Sequence, residues 1–358
     1  MIVKKPKEYK LKLNPIQIGK RLVGEGNPCY IIAEIGSNFD GNLNLAKKLI
    51  KEAKKAGADA AKFQSFQVEK ILSKKGFEKK VSFQNSWTKS VWNVYKDAEL
   101  PLEWIHELSK YAKKCKIDFL SAPYHVEAVD ELVNSKVPAI KIGSGEITNL
   151  EFLEYIAKTK KPILLATGAS TQKDVDVAVK KISKINKNLI LMQATTQYPS
   201  PIKDANLRVM DTFRKKYGIN VGYSDHTPGI TCILGSIALG ACTVEKHFTL
   251  DNASAGPDHN HSLDVNQFAE MVKQIRYMET ALGNNKKNIE KSENQTKIIQ
   301  RRGIWTSKKI LKGEKFSSSN VNVLRPCIGI SASKFKDILG KRAKRNLAKN
   351  SAIKANDL

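Results

Sequence analysis

The chain is poor in cysteine, in long apolar runs and in acid, and each shortage removes a class of protein. Its five cysteines, Cys29, Cys115, Cys232, Cys242 and Cys327, are odd in number, widely spaced and without a C-x-x-C pair. That spacing argues against a disulfide framework or a zinc knot, and the expected compartment is the reducing cytoplasm. The longest uncharged run, Thr227 to Val244, is broken by Gly229, Gly235 and Gly240. It falls short of the roughly 20 apolar residues of a membrane span. It reads as a buried helix running into a buried strand, and no membrane partner is expected. The start, Met1 to Pro15, is Lys-rich without an apolar stretch, so no signal peptide is read there.

Acidic residues number 35 against 61 Lys and Arg, a net charge of +26. A nucleic-acid partner is one explanation of such a balance. The lysines, however, spread along helix faces (Lys47, Lys48, Lys51, Lys54, Lys55, Lys180, Lys181, Lys184) and do not cluster beside stacking aromatics. A solvated basic surface is the simpler reading, with no nucleic acid bound. Such a field also gathers anionic substrates.

What is present is a regular alternation. Short apolar runs occur at Cys29–Ile35, Ala60–Phe66, Phe119–Ala122, Ala139–Ile142, Ile163–Thr167, Leu189–Ala194, Asn220–Ser224 and Cys242–Phe248. Each is followed by a segment of helical periodicity, the first at Leu43–Ala56 and the last at Asn266–Leu282. Eight strand–helix units over about 250 residues predict an α/β fold, a (β/α)8 TIM barrel. Ile16 to Val23 reads as a hairpin before the first barrel strand. Lys70 to Lys96 is too long for an ordinary loop and reads as a functional insertion over the barrel mouth. After Leu282 the composition turns to Asn and Lys. The expected division is a catalytic barrel over 1–283, a linker over 284–300 and a small, basic, β-rich domain over 301–358.

The polar residues fall at the ends of the runs, where a barrel of this kind displays its reactive groups. Glu34 ends the first, Lys62 and Gln64 lie in the second, and Lys141 is followed by Ser144 and Glu146 after the fourth. Ser224, Asp225 and His226 end the seventh, and Glu245, Lys246 and His247 the eighth. Alternation places Ile140 and Ile142 opposite Lys141, so Lys141 faces inward if the isoleucines meet the helices. Two inward lysines, Lys62 and Lys141, are costly unless an anion meets them, and a phosphate with a carboxylate would satisfy both. His226 and His247 end adjacent strands roughly 5 Å apart. They fit a labile Mn²⁺-like site, and equally a core histidine beside a general base. His259 and His261 lack strand context and read as a weak metal pair. His106 and His125 read as surface or structural.

Six segments then carry a resemblance: 31–38 (IIAEIGSN), 61–64 (AKFQ), 141–146 (KIGSGE), 222–226 (GYSDH), 245–250 (EKHFTL) and 256–259 (GPDH). Together they resemble the bacterial sialic acid synthases, which include N-acetylneuraminate, legionaminate and pseudaminate synthases. The tail, with Lys312-Gly313-Glu314 and Leu324-Arg325-Pro326, resembles their antifreeze-like (SAF) domain. The resemblance implies condensation of phosphoenolpyruvate with N-acetylmannosamine or a related N-acylated hexose, giving a nonulosonic acid and phosphate. The alternatives are an N,N'-diacetyllegionaminate or pseudaminate product. It further implies that His226 and His247 hold Mn²⁺ or Mg²⁺, and that Lys62, Gln64, Lys141, Ser144 and Ser224 cradle phosphoenolpyruvate. Glu34, Tyr198 and Asp258 would contact the amino sugar, with Glu34 among the catalytic groups, and Glu146 would assist proton transfer. Arg325 would reach the partner's barrel in a domain-swapped homodimer. Phe39, Ala122, Ala166 and Thr196 depart from the usual family residues His, Thr, Ser and Asn.

Rival readings are a lysine Schiff-base aldolase, which has no use for paired histidines, and a synthase of phosphorylated pentose or tetrose acceptors, against which the tail argues.

Overall fold

The computed structural model describes residues 13–358 apart from 82, 83 and 86. The chain divides into two compact units after Gly283. The first begins with an antiparallel hairpin, β1 (Ile16–Ile18) and β2 (Arg21–Val23). Eight parallel strands follow: β3 (Tyr30–Gly36), β4 (Ala60–Ser65), β5 (Asp118–Pro123), β6 (Ile140–Ile142), β7 (Ile163–Ala166), β8 (Leu189–Ala194), β9 (Asn220–Asp225) and β10 (Thr243–His247). Their order, β5-β4-β3-β10-β9-β8-β7-β6, curls the sheet round until β5 lies against β6. The expected (β/α)8 barrel is therefore formed, with strand positions shifted by no more than a residue or so at their ends.

The pleat sorts the side chains into two cores. Ile31, Ala33, Ile35, Phe63, Ile140 and Ile142 point outward and join the helices in one large cluster. Tyr30, Ile32, Ala60, Leu120, Leu164 and Ile190 point inward and form a separate cluster with Ile16, Ile18 and Val23. The hairpin thus plugs the N-terminal end of the barrel. It is tied there by Asn220 Nδ2, which donates to the Asn14 carbonyl at 2.8 Å.

The outer helices start where short polar side chains satisfy their free N–H groups. Asn42 caps Leu43–Lys55, and Thr171 with Asp174 forms a capping box for Gln172–Ser183. Asp264 with Gln267 does the same for Val265–Leu282. The uncharged run resolves into the helix Thr231–Ala238 and strand β10. Among the described residues no helix is long and apolar enough to cross a membrane.

The second unit is built on an antiparallel pair, β11 (Gly303–Thr306) and β12 (Val321–Leu324), around Ile304, Phe316, Val321 and Ile353. The stretch read as linker is more ordered than its composition suggests. Glu290 and Glu293 cap a helical turn that continues into the helix Asn294–Gln300, whose Ile298 carbonyl accepts from the Cys327 N–H at 3.0 Å. No glycine or proline follows Gly283 there, so nothing in the backbone opposes a helix.

The plug generates a prediction. Ile18 is fully buried in the inner cluster, so Ile18→Ala should cost about 2–5 kcal/mol of barrel stability. The urea midpoint should fall with an unchanged m-value. An unchanged midpoint would mean that the hairpin adds nothing to the core.

Candidate active site

Above the apolar layer, the inward positions become charged. Glu34 on β3, Lys62 on β4, Lys141 on β6, Ser224 on β9 and Glu245 on β10 meet on the floor of a cavity of about 400 Å³. Lys62 Nζ lies 2.7 Å from Glu34 Oε2 and 3.7 Å from Glu245 Oε1. Lys141 Nζ lies 3.0 Å from the same Glu245 oxygen, which also accepts from Ser224 Oγ at 3.0 Å. Gln64 Nε2 donates to Glu34 Oε1 at 2.7 Å. The inward lysines are as expected from alternation, but their counter-ions are the protein's own. Glu245, which the strand pattern placed without a role, is the group that joins them.

Burial and neighbours separate the two carboxyls. Burial pushes Glu34 up to about 7 against the pull of Lys62, with Glu245 adding to the rise. Glu245 is held down at about 2, because Lys141 and Lys62 together outweigh its burial. Lys62, despite its burial, is raised by Glu245 and Glu34, whereas burial and the charge of Lys62 lower Lys141.

Next to this floor the loops after β6, β7 and β8 converge. The Gly168 N–H donates to Ser144 Oγ at 2.9 Å. A Cβ at Gly168 would lie 2.1 Å from Thr196 Oγ1 and 2.9 Å from Ser144 Oγ. Glycine is needed for this approach. Glu146 is on the same rim, and burial raises its carboxyl.

The histidines close one side. The rings of His226 and His247 are 5.6 Å apart, and that of Tyr198 is 4.3 Å from His226 and 5.9 Å from His247. Both histidines are neutral, driven there by burial; His226 is lowered to about 4. His226 Nδ1 lies 2.7 Å from the Thr195 carbonyl oxygen. A carbonyl only accepts, so Nδ1 carries the proton and Nε2 keeps its lone pair. His261, read from sequence as a weak metal candidate, proves to pack against His247 at 4.8 Å between rings. Ligand atoms of His247, Asp258 and His261 lie within 4.8 Å of one another, so a second donor set shares His247. Its signal in the sequence was only the 256–261 loop, whose fold-back no local period reveals. His259, by contrast, bonds Thr249 Oγ1 at 2.7 Å and braces the loop.

Asp258 is held by the N–H and hydroxyl of Ser37, at 3.1 and 2.9 Å. The approach depends on Gly36, with φ +55°, where a Cβ would come within 2.5 Å of Asp258 Oδ2. The opposite wall is apolar: Phe66 with Ile71, Leu72, Trp87, Val94 and Tyr95 of the insertion. Phe66 packs on Tyr95 and Tyr124 at 5.6 and 5.8 Å between rings. Of the departures noted above, Ala122, Ala166 and Thr196 line the cavity. Phe39 lies in the outer core against Phe63 and Trp104. Arg325 is exposed in the second unit, just past β12.

Residues 49–287 match the NeuB family, and residues 301–358 match the SAF domain. The chain belongs to the NeuB family. It is similar to N,N'-diacetyllegionaminic acid synthase of Campylobacter jejuni subsp. jejuni, with 42% identity over 90% of this chain and 98% of the relative. Pseudaminic acid synthase of the same subspecies is 34% identical over 92% of this chain and 96% of its own. Among solved structures, the N-acetylneuraminic acid (sialic acid) synthetase of Leptospira borgpetersenii serovar Hardjo-bovis, in complex with citrate, is 31% identical. Its TM-score is 0.72, covering 79% of this chain and 95% of that one. The motifs read as a sialic-acid-synthase resemblance thus belong to a NeuB-family barrel, and its strand-end residues surround one cavity.

Neutral imidazoles with free lone pairs, one already fixed through a carbonyl, fit a divalent cation in this NeuB-family site. Titration of the chelator-treated protein with Mn²⁺, followed by the spin signal of the free ion, should show saturable binding. His247→Ala should abolish it, and His226→Ala should weaken it about tenfold or more. Retained wild-type binding in His247→Ala would exclude a metal centre here.

Proposed function

We propose that the protein condenses phosphoenolpyruvate with an open-chain N-acylated amino hexose, giving a nonulosonic acid and phosphate. The observation that carries this reading is the pair of buried lysines, Lys62 and Lys141, on the floor of a cavity flanked by His226 and His247. Membership of the NeuB family supports it. Lys62 and Lys141, with Gln64, Ser144 and Ser224, hold the carboxylate and phosphate of phosphoenolpyruvate. Its enol carbon then faces the sugar aldehyde, which Glu34, Tyr198 and Asp258 orient. His226 and His247 would hold a divalent ion, Mn²⁺ or Mg²⁺, which would supply Lewis acidity toward the aldehyde. The enol carbon attacks the aldehyde carbon, and positive charge develops at the phosphate-bearing carbon. Water adds there, Glu146 handles the proton, and phosphate leaves as the carbonyl forms. The fixed ammonium groups stabilise this sequence without reorganising. The unpaired cysteines suit the cytoplasm as the setting.

The finer reading is the sugar. N-acetylmannosamine carries one methyl group and several hydroxyls. The precursor of N,N'-diacetyllegionaminic acid carries a second acetamido methyl and a C6 methyl in place of a hydroxyl. The wall of Phe66, Ile71, Leu72, Val94 and Tyr95 favours the latter. The 42% identity to a legionaminic acid synthase points the same way. A neuraminate product, which the sequence motifs also allow, takes second place. A panel of acylated hexoses with phosphoenolpyruvate, read by phosphate release and product mass, tests this. The diacetamido trideoxy sugar should exceed N-acetylmannosamine in kcat/KM by at least about tenfold, the scale of a well-placed methyl group. Equal or better use of N-acetylmannosamine would return the protein to the neuraminate branch. No phosphate release with any of these sugars would overturn the condensation itself.

Arg325 is proposed to complete the cavity of a second subunit in a domain-swapped homodimer, offering a forked guanidinium to an acyl carbonyl. On this reading Arg325→Ala disables the partner's site and His247→Ala disables its own. Each homodimer should be nearly inactive, and a doubly tagged mixed dimer should regain one working site. A mixed dimer as inactive as its parents would place Arg325 in its own chain's site or outside the reaction.

A further inference from the structure

Glu245 is the charged group on the cavity floor to which the reaction above assigns no part. Its Oε1 gathers Lys141 at 3.0 Å, Ser224 at 3.0 Å and Lys62 at 3.7 Å. Its Oε2 is buried and has no hydrogen-bond partner among the described residues. The donors gathered by Glu245 are therefore the very donors that an incoming phosphate or carboxylate needs. With Glu34 on the far side of Lys62, the floor holds two cations against two carboxyls. Much of the charge of the two lysines is therefore already met before any substrate arrives.

A floor of that kind attracts an anion less strongly than two unmatched lysines would. Bound phosphate would share its lysines with a carboxylate a few ångströms away, in a cavity where little water screens the repulsion. We propose, on the reading of this cavity as the phosphoenolpyruvate site, that Glu245 is a built-in competitor for the anion. It keeps Lys62 and Lys141 charged and aimed into the cavity while the site is empty, and it takes them back as product phosphate leaves. Glu245 is a positioning residue, since it acts through the lysines and not on the reacting atoms.

This role has a signature that scaffolding lacks. Loss of a scaffold weakens binding, whereas loss of a competitor strengthens it. The probe is inorganic phosphate, titrated calorimetrically into the full-length protein in chelated buffer, so that no metal ion contributes. Glu245→Gln should bind phosphate at least tenfold more tightly than wild type. In turnover it should lower both the KM for phosphoenolpyruvate and kcat, with phosphate becoming a stronger product inhibitor. Glu245→Asp keeps the charge and should stay within threefold of wild-type affinity.

Should Glu245→Gln fail to fold, Lys141→Met and the double variant Lys141→Met/Glu245→Gln carry the test. The double variant restores the balance of charge and should bind phosphate at least tenfold more tightly than Lys141→Met. Equal or weaker phosphate binding, in Glu245→Gln against wild type or in the double variant against Lys141→Met, would make Glu245 a structural group only. If the wild-type protein binds neither phosphate nor phosphoenolpyruvate, the substrate reading falls and this proposal with it. If it binds phosphoenolpyruvate and the variants show no tightening, only the role of Glu245 falls.

Discussion

The rest of the barrel is arranged around one constraint, the burial of two ammonium groups in its interior. Lys62 and Lys141 are 2% and 3% exposed. Stripping such groups of water costs several kcal/mol each unless carboxylates and hydroxyls replace it. Glu34 and Glu245 do so, Gln64 and Ser224 donate to those carboxylates in turn, and every one of them projects from a strand and not from a loop. That choice fixes the geometry, since a strand side chain cannot drift from its pleat. It also spends the upper half of the barrel on polar groups. The apolar core lost there is recovered below, where Ile16, Ile18 and Val23 of the hairpin pack onto the inner residues of the strands. The hairpin and the charged floor are two consequences of one demand.

The floor was largely legible in the sequence because it obeys a period of two. Ile140 and Ile142 flank Lys141, and the direction of the lysine follows from the apolar neighbours that must meet the helices. The strands themselves were legible for the same reason. Glu245 was visible as a residue and not as a partner, because the pairing of β10 with β3 that closes this part of the sheet joins residues more than two hundred positions apart. Local pattern says which way a side chain points; it does not say which charge it meets.

The rim was less legible, and the reason is backbone conformation. Asp258 reaches Ser37 only because Gly36 has a positive φ and no Cβ. His261 comes beside His247 only because the 256–261 loop folds back under the bracing of His259. Neither event leaves a periodic trace. The segment after Gly283 also holds local structure that its composition does not show. Its Asn and Lys content suits a linker, yet a capped turn and the helix Asn294–Gln300 form there.

The division between floor and rim also separates what the chemistry needs from what the substrate needs. The charged floor groups sit on β3, β4, β6 and β10, and exchanging one of them would leave a buried charge unmatched. The apolar wall comes from the end of β4 and from an insertion that contributes Ile71, Leu72, Val94 and Tyr95 without entering the charged lattice. Substitutions there change the shape and polarity of the cavity wall and leave the lysines where they are. A barrel of this kind can therefore change the shape of its cavity by altering a loop, while the same two lysines stay fixed on the floor.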